Sequence, residues 1–221
     1  SGTLAFASAA AAGGSGTFQE SPQSFGQGNA TLAIAAGDFN GDGRLDTVTS
    51  TYVGPAFVWF SDGKGGFSAG PVLPEISGTT IEAGDLNGDG IDDVFVASAA
   101  GGLTTVYLAD GKGGLQQTGQ HLLGTNMASD IGDIDGDGDL DIFVGSAGGH
   151  TNAWFRNDGN GVFDVIGGLN GIAGRGVALG DLDDDGDLDV FVATSVGANH
   201  VRLNDGNGNF TDSGQSLGNS Y

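Results

Sequence analysis

The chain of 221 residues carries 28 acidic residues against six Lys and Arg, a net charge of −22 that leaves almost nothing to neutralise phosphates and excludes a nucleic-acid binder. It has no Cys, so disulfides, thiol chemistry and Cys-based metal sites are excluded. With 45 Gly and only 4 Pro it turns often without collagen-like repetition, and no apolar run approaches a membrane span.

The opening SGTLAFASAAAAGG is small and apolar, but it lacks a basic start and a long apolar centre, and it does not read as a signal peptide. Within residues 1–28, LAFAS resembles a strand, and Phe18–Gly26 (FQESPQSFG) mirrors Phe210–Gly218 (FTDSGQSLG). That segment is therefore expected to hold half of a repeat, and residues 29–221 four complete ones, in one domain.

The repeat declares itself in an acidic loop that starts at residues 38, 85, 133 and 181. The copies read DFNGDGRLD (Asp38–Asp46), DLNGDGIDD (Asp85–Asp93), DIDGDGDLD (Asp133–Asp141) and DLDDDGDLD (Asp181–Asp189). Each places oxygen-bearing side chains at positions 1, 3, 5 and 9 and Gly at position 6. Such spacing wraps a hard cation, because the carboxylates converge while the Gly lets the backbone turn and offer a carbonyl at position 7. An EF-hand is excluded by position 12, which is Thr49, Val96, Val144 or Val192 instead of Glu, and by β-branched flanks that read as strands. The pitch is also far too long for a nine-residue calcium β-helix. The expected ligand load is about four Ca²⁺.

A second motif keeps the same beat: SDGKGGF (Ser61–Phe67), ADGKGGL (Ala109–Leu115), NDGNGVF (Asn157–Phe163) and NDGNGNF (Asn204–Phe210). Asp-Gly between apolar runs is a hairpin signal, since these residues tolerate positive φ. Each repeat then has four strands: A before the acidic loop, B after it, C before the turn, D after the turn. Four short antiparallel strands recurring at this pitch predict an all-β fold, a β-propeller with one blade per repeat. No segment has a helical period. Strand A is rich in Ala and Gly, which suits an innermost strand crowded at an axis.

The pattern D-x-[DN]-x-D-G-x-x-D, followed by a β-branched strand and then NDGxGxF, resembles the FG-GAP/VCBS repeats. Those build calcium-binding β-propellers in integrin α-subunit heads and in many secreted bacterial proteins and lectins. The resemblance covers roughly Thr31–Asn219. It implies side-chain ligands from Asp38, Asn40, Asp42 and Asp46; Asp85, Asn87, Asp89 and Asp93; Asp133, Asp135, Asp137 and Asp141; and Asp181, Asp183, Asp185 and Asp189. It implies carbonyl ligands from Arg44, Ile91, Asp139 and Asp187, and a place outside the cell or on its surface.

Strand alternation puts the acidic loops and the C–D turns at one end of the propeller. The other end carries Tyr52, His150, Asn152, Asn199 and His200, with Trp154 on strand C, and is the expected ligand face. Trp59, Tyr107 and Phe155 share one position in strand C and are expected to pack between blades. Three Glu (Glu20, Glu75, Glu82) and three His (His121, His150, His200) are scattered, and no G-x-S-x-G, HExxH or phosphate loop occurs, so no catalytic residue is assigned. The expected function is a secreted, calcium-stabilised binding or adhesion module for a glycan or a protein, lectin-like or part of a larger surface protein. The alternatives are a calcium-dependent propeller hydrolase or lyase, or a structural repeat domain that oligomerises through the unmatched half-blade.

Overall fold

The computed structural model of the chain describes residues 30–51, 54–74, 78–98, 104–122, 126–146, 152–169, 172–195 and 197–218. The half-repeat expected in residues 1–28 lies outside the described residues, as do Tyr52 and His150.

All regular structure among the described residues is strand, and the strands form four separate four-stranded antiparallel sheets. Blade 1 is β1 (Thr31–Gly37), β2 (Asp46–Thr51), β3 (Ala56–Ser61) and β4 (Phe67–Leu73). Blade 2 is β5 (Thr80–Gly84), β6 (Asp93–Ala97), β7 (Thr105–Ala109) and β8 (Leu115–Gln117). Blade 3 is β9 (Asn126–Gly132), β10 (Asp141–Ser146), β11 (Asn152–Asn157) and β12 (Phe163–Leu169). Blade 4 is β13 (Gly174–Gly180), β14 (Asp189–Thr194), β15 (His200–Leu203) and β16 (Thr211–Asp212). Each blade is a meander in chain order, as the A-to-D reading requires. The inner strands adjoin in sequence, β1 to β5, β5 to β9 and β9 to β13.

The second strand of each blade explains the loss of polar and apolar alternation. β6 and β10 are buried at every position, because blades 2 and 3 each have a neighbour on both faces, and β2 of blade 1 is buried throughout as well. The core accordingly lies between blades. Phe39, Val48 and Val58 of blade 1 pack on Ile81, Val94, Val96 and Tyr107 of blade 2. Leu86, Phe95 and Val106 meet Ile142, Val144 and Phe155. Ile134, Phe143 and Trp154 meet Val190 and Val192. Tyr107 and Phe155 therefore pack between blades, as expected from their shared column.

The small residues of strand A have a more specific cause than crowding at an axis. The loop residue at position 8 of each later blade presses against the last Gly of the preceding inner strand. A Cβ at Gly37 would lie 2.8 Å from Asp92 Cβ, one at Gly84 would lie 2.8 Å from Leu140 Cδ1, and one at Gly132 would lie 2.6 Å from Leu188 Cδ1. A larger side chain must displace the leucine ends at Gly84 and Gly132, and at Gly37 it meets a Cβ that its backbone holds in place.

Candidate metal centres

The four acidic loops are wound by their own side chains. At position 1, Asp38 accepts the N–H groups of Asp42 (3.1 Å) and Gly43 (2.7 Å), and Asp85 those of Asp89 (3.1 Å) and Gly90 (2.8 Å). Asp133 accepts from Gly136 and Gly138, and Asp181 from Asp185 and Gly186. At position 5, Asp42, Asp89, Asp137 and Asp185 each accept the N–H two residues on, at 2.9–3.0 Å. These Asx turns fold the chain around its carboxylates. Left-handed backbone is required at positions 4 and 6, which glycine supplies at Gly41 (φ 71°) and Gly43 (φ 79°) in the first loop. In the fourth loop position 4 is Asp184 with φ 64°, the one non-glycine at positive φ among the described residues. Asp tolerates this conformation better than most residues.

Position 9 does more than the sequence indicates. Asp46, Asp93, Asp141 and Asp189 are completely buried. Asp93 accepts the N–H of Leu86 at 3.0 Å on one oxygen and that of Ala109 at 2.8 Å on the other. Asp141 joins Ile134 to Asn157 in the same way, and Asp189 joins Leu182 to Asn204. The residue thus ties position 2 of its loop to the start of the C–D turn. Burial pushes the Asp93 and Asp141 carboxyls up to about 6 against the pull of those N–H groups, with the charges of other loop carboxylates adding to the rise. Burial raises Asp46 as well.

The loops of blades 3 and 4 bring three carboxylates together. Oxygens of Asp133, Asp135 and Asp141 lie within 4.8 Å of one another, as do those of Asp181, Asp183 and Asp185. In blades 1 and 2 position 3 is an amide, and Asn40 and Asn87 each accept the position-5 N–H at 3.0 Å. Two oxygens test whether these loops fit a cation. Asp135 Oδ1 and Asp46 Oδ2 are buried without a hydrogen-bond partner, which is costly unless a positive group completes them. Oxygen-only donors at this density fit a hard divalent cation.

The C–D turns are built differently, for rigidity. Asp62 accepts Lys64 N–H (2.7 Å) and Gly66 N–H (2.8 Å), and Asp110 accepts Lys112 and Gly114 (both 2.8 Å). Those backbone donors hold both carboxyls below the usual range. The turns lie at the same end as the acidic loops: the Arg44 side chain lies against Gly63, and Asp139 and Asp187 lie against Gly159 and Gly206.

At the opposite end the predicted ligand residues are mostly committed to structure. Asn152 is fully buried and accepts the Ser146 N–H at 2.8 Å, while Asn199 accepts that of Thr194 at 3.0 Å. Trp154 is 3% exposed, between blades 3 and 4. His200 is half-buried on β15. Sequence reasoning missed Asn157 and Asn204. Asn204 Nδ2 donates to Ile134 O (2.7 Å) in the preceding blade and Leu188 O (3.1 Å) in its own. Asn157 does the same to Leu86 O (2.8 Å) and Leu140 O (3.0 Å). The signal was present in the NDG motif, where Asn stands only in the last two repeats.

Four-stranded blades, each bearing an acidic loop between its inner two strands, define a propeller-repeat protein with one candidate cation cup per blade. The chain belongs to the FG-GAP-like repeat family, whose repeat it matches at residues 8–49, 85–144, 133–192 and 181–221. No curated protein matches it in sequence. Its fold is similar to that of an Agrocybe aegerita lectin described for specific recognition of non-reducing terminal N-acetylglucosamine, with 24% identity and a TM-score of 0.51 over 80% of this chain and 49% of the lectin. It is also similar to BBS1N from a complex with ARL6DN, with 16% identity and a TM-score of 0.57 over 85% and 57% of the two chains. The V. cholerae biofilm matrix protein Bap1 matches with 17% identity and a TM-score of 0.50 over 82% and 30%. At these identities the likeness is one of fold, and the chain spans about half the length of these structures or less. No helix among the described residues is long and apolar enough to cross a membrane.

Proposed function

We propose that the chain is a calcium-stabilised binding or adhesion module that works outside the cell or at its surface, where Ca²⁺ is abundant. The observation that carries the reading is the loop chemistry: hard oxygen donors, buried carboxylates with raised proton affinity, and buried oxygens without partners. Ca²⁺ suits such flexible oxygen cups better than Mg²⁺, which demands smaller octahedral sites and keeps its waters. The metal holds the blades, and the blades present a surface. A glycan or a protein is the ligand class, supported by fold neighbours that include a lectin and a biofilm matrix protein.

Two measurements test this. Titration calorimetry is expected to find about four Ca²⁺ per chain, and absence of heat would reject the metal. A glycan array, run with Ca²⁺ and with chelator, is expected to show calcium-dependent binding without turnover. Turnover that survives in the bound state would move the chain to the hydrolase or lyase class.

A further inference from the structure

The acidic loops of blades 1 and 2 are built from the same parts. Their side-chain donors are Asp, Asn, Asp and Asp at positions 1, 3, 5 and 9. In both, positions 1 and 3 accept the position-5 N–H and position 1 accepts the position-6 N–H, at matching distances. In both, the position-5 carboxylate spends Oδ1 on the N–H of position 7. They part at the side chain of position 7. Each lies along the C–D turn of its own blade: Arg44 Cδ is 3.0 Å from where a Cβ on Gly63 would stand, and Ile91 Cγ1 is 3.4 Å from one on Gly111. Ile91 carries no charge, whereas the Arg44 guanidinium donates from Nη1 to Asp42 Oδ2 at 3.0 Å. Both oxygens of Asp42 are thus engaged within the chain, while Asp89 Oδ2 has no such partner among the described residues.

Blades 3 and 4 depart in the opposite sense. Position 3 is Asp135 or Asp183 where the first two loops have an amide, three carboxylates converge in each loop, and Asp135 Oδ1 is buried without a partner. Side-chain charge grows along the series. Three Asp and Arg44 give the first loop −2, four Asp give the second −4, and five and six Asp give the third and fourth −5 and −6. The affinity of an oxygen cup for Ca²⁺ is tuned by the charge of its ligands. A guanidinium fixed beside the cup repels a divalent ion and competes with it for the same carboxylate.

We propose that the four cups fill in a graded order, blades 3 and 4 first, blade 2 next and blade 1 last, with the Arg44 guanidinium setting the weak end as a built-in competitor for Asp42. Resting on the calcium reading above, this order divides cups with identical side-chain ligands by one residue beside them. The Arg44–Asp42 pair is open to water, which keeps its effect moderate, about tenfold in affinity between blades 1 and 2. The first cup also reaches across a junction: the Asp38 N–H donates to the Asp92 carboxylate, and the Asp38 carbonyl accepts the Asp92 N–H. A falling Ca²⁺ level therefore acts first at the junction of blades 1 and 2, while the later cups are still loaded.

The position-6 glycines report on each cup separately, because Gly43, Gly90, Gly138 and Gly186 each donate an N–H to the position-1 carboxylate of their own loop. The test is amide NMR of the calcium-loaded full chain, with free Ca²⁺ lowered stepwise by a chelator buffer. Gly43 is expected to move first, Gly90 at about tenfold lower Ca²⁺, and Gly138 and Gly186 last. Arg44→Ile copies blade 2 at an exposed position and is expected to bring the Gly43 midpoint to that of Gly90. Arg44→Lys keeps the charge and is expected to leave Gly43 the first to move. One shared midpoint for the four amides of the wild type, or a Gly43 midpoint that Arg44→Ile leaves in place, would overturn the graded order while leaving the calcium reading intact. Four amides that ignore Ca²⁺ altogether would overturn both.

Discussion

The junction between blades 1 and 2 and the two junctions that follow close the same gap with different chemistry. At the first, the Asp92 carboxylate accepts the Asp38 N–H at 2.7 Å, and the Asp92 N–H donates to Asp38 O at 3.2 Å. The turn contributes nothing polar there, since its first residue is Ala109. At the later junctions the turn supplies the neutral amide of Asn157 or Asn204, and position 8 is the apolar Leu140 or Leu188. Two columns of the repeat thus change together: Ala with Asp in blade 2, Asn with Leu in blades 3 and 4. Each trapped backbone group needs a partner of the right sense, so the carboxylate takes an N–H of the earlier blade and the amides take its carbonyl oxygens.

The largest expected effect overrides this difference, because both kinds of latch are anchored on the acidic loops. Calcium withdrawal is expected to lower the melting temperature sharply, with linkage giving roughly 1.5–3 kcal/mol per site at millimolar Ca²⁺. Asp137→Ala is expected to remove a large part of one site's share, whereas Lys112→Ala in an exposed turn is expected to stay within about 0.5 kcal/mol. Equal melts for the two variants would detach the loops from stability. Calcium affinity is also expected to fall as pH drops through about 6, where Asp93 and Asp141 take up protons that compete with the cation. Calorimetry at two pH values checks this.

Next comes the latch itself. Asn204→Ala leaves the carbonyls of Ile134 and Leu188 without their donor and is expected to cost roughly 2–4 kcal/mol in denaturant unfolding. Ser61→Ala, in the same column of blade 1, is expected to cost well under about 1 kcal/mol, because Ser61 Oγ serves only the exposed Gly63 N–H. A carboxylate at position 8 cannot donate to those carbonyls, so adding Leu188→Asp is expected to cost no less in the Asn204→Ala background than in the wild type, which a double-mutant cycle measures.

A smaller effect separates blades 2 and 3. Glu82 accepts from Ser129 Oγ at 2.8 Å and Thr80 Oγ1 at 3.2 Å, and burial, aided by the charge of Asp130, lifts its carboxyl to about 7. A carboxyl raised in the folded state holds its proton more tightly there than in the unfolded chain. Stability from this group is therefore full below its ordinary value of 4.5 and is lost as pH rises through about 7. Glu82→Gln, which copies the protonated form, is expected to stabilise by roughly 1–3 kcal/mol at pH 8 and to change little at pH 4. Smallest of all, Gly132→Ala is expected to cost about 1 kcal/mol by pressing on Leu188, while Gly180→Ala is expected to be near neutral. Thermal melts of the pair compare a glycine under a facing side chain with one where a Cβ meets only Leu182 at 3.9 Å.

The blades were legible in the sequence because both of their turn types are written in residues that force local geometry. The acidic loop and the Asp-Gly turn fix where each strand starts, and the strands between them have no other option. The junctions were less legible, since they depend on what one repeat places against the next. Gly37, Gly84 and Gly132 read as merely small until Asp92, Leu140 and Leu188 are seen against them. The burial of position 9 was hidden for the same reason: Asp46, Asp93, Asp141 and Asp189 look like further ligands, while their bonds to the turn appear only in three dimensions. Trp154 and Asn152 looked available because sequence cannot distinguish an aromatic or amide at a rim from one between two sheets.

Because each apolar cluster is shared by two blades, no blade owns a core. The blades then behave as links whose cohesion resides in the couplings between neighbours. β6 and β10 are buried at every position, whereas half of β14 is only partly buried. Amide hydrogens of β14 are therefore expected to exchange ahead of those in β6 and β10, although the three strands are nearly alike in sequence.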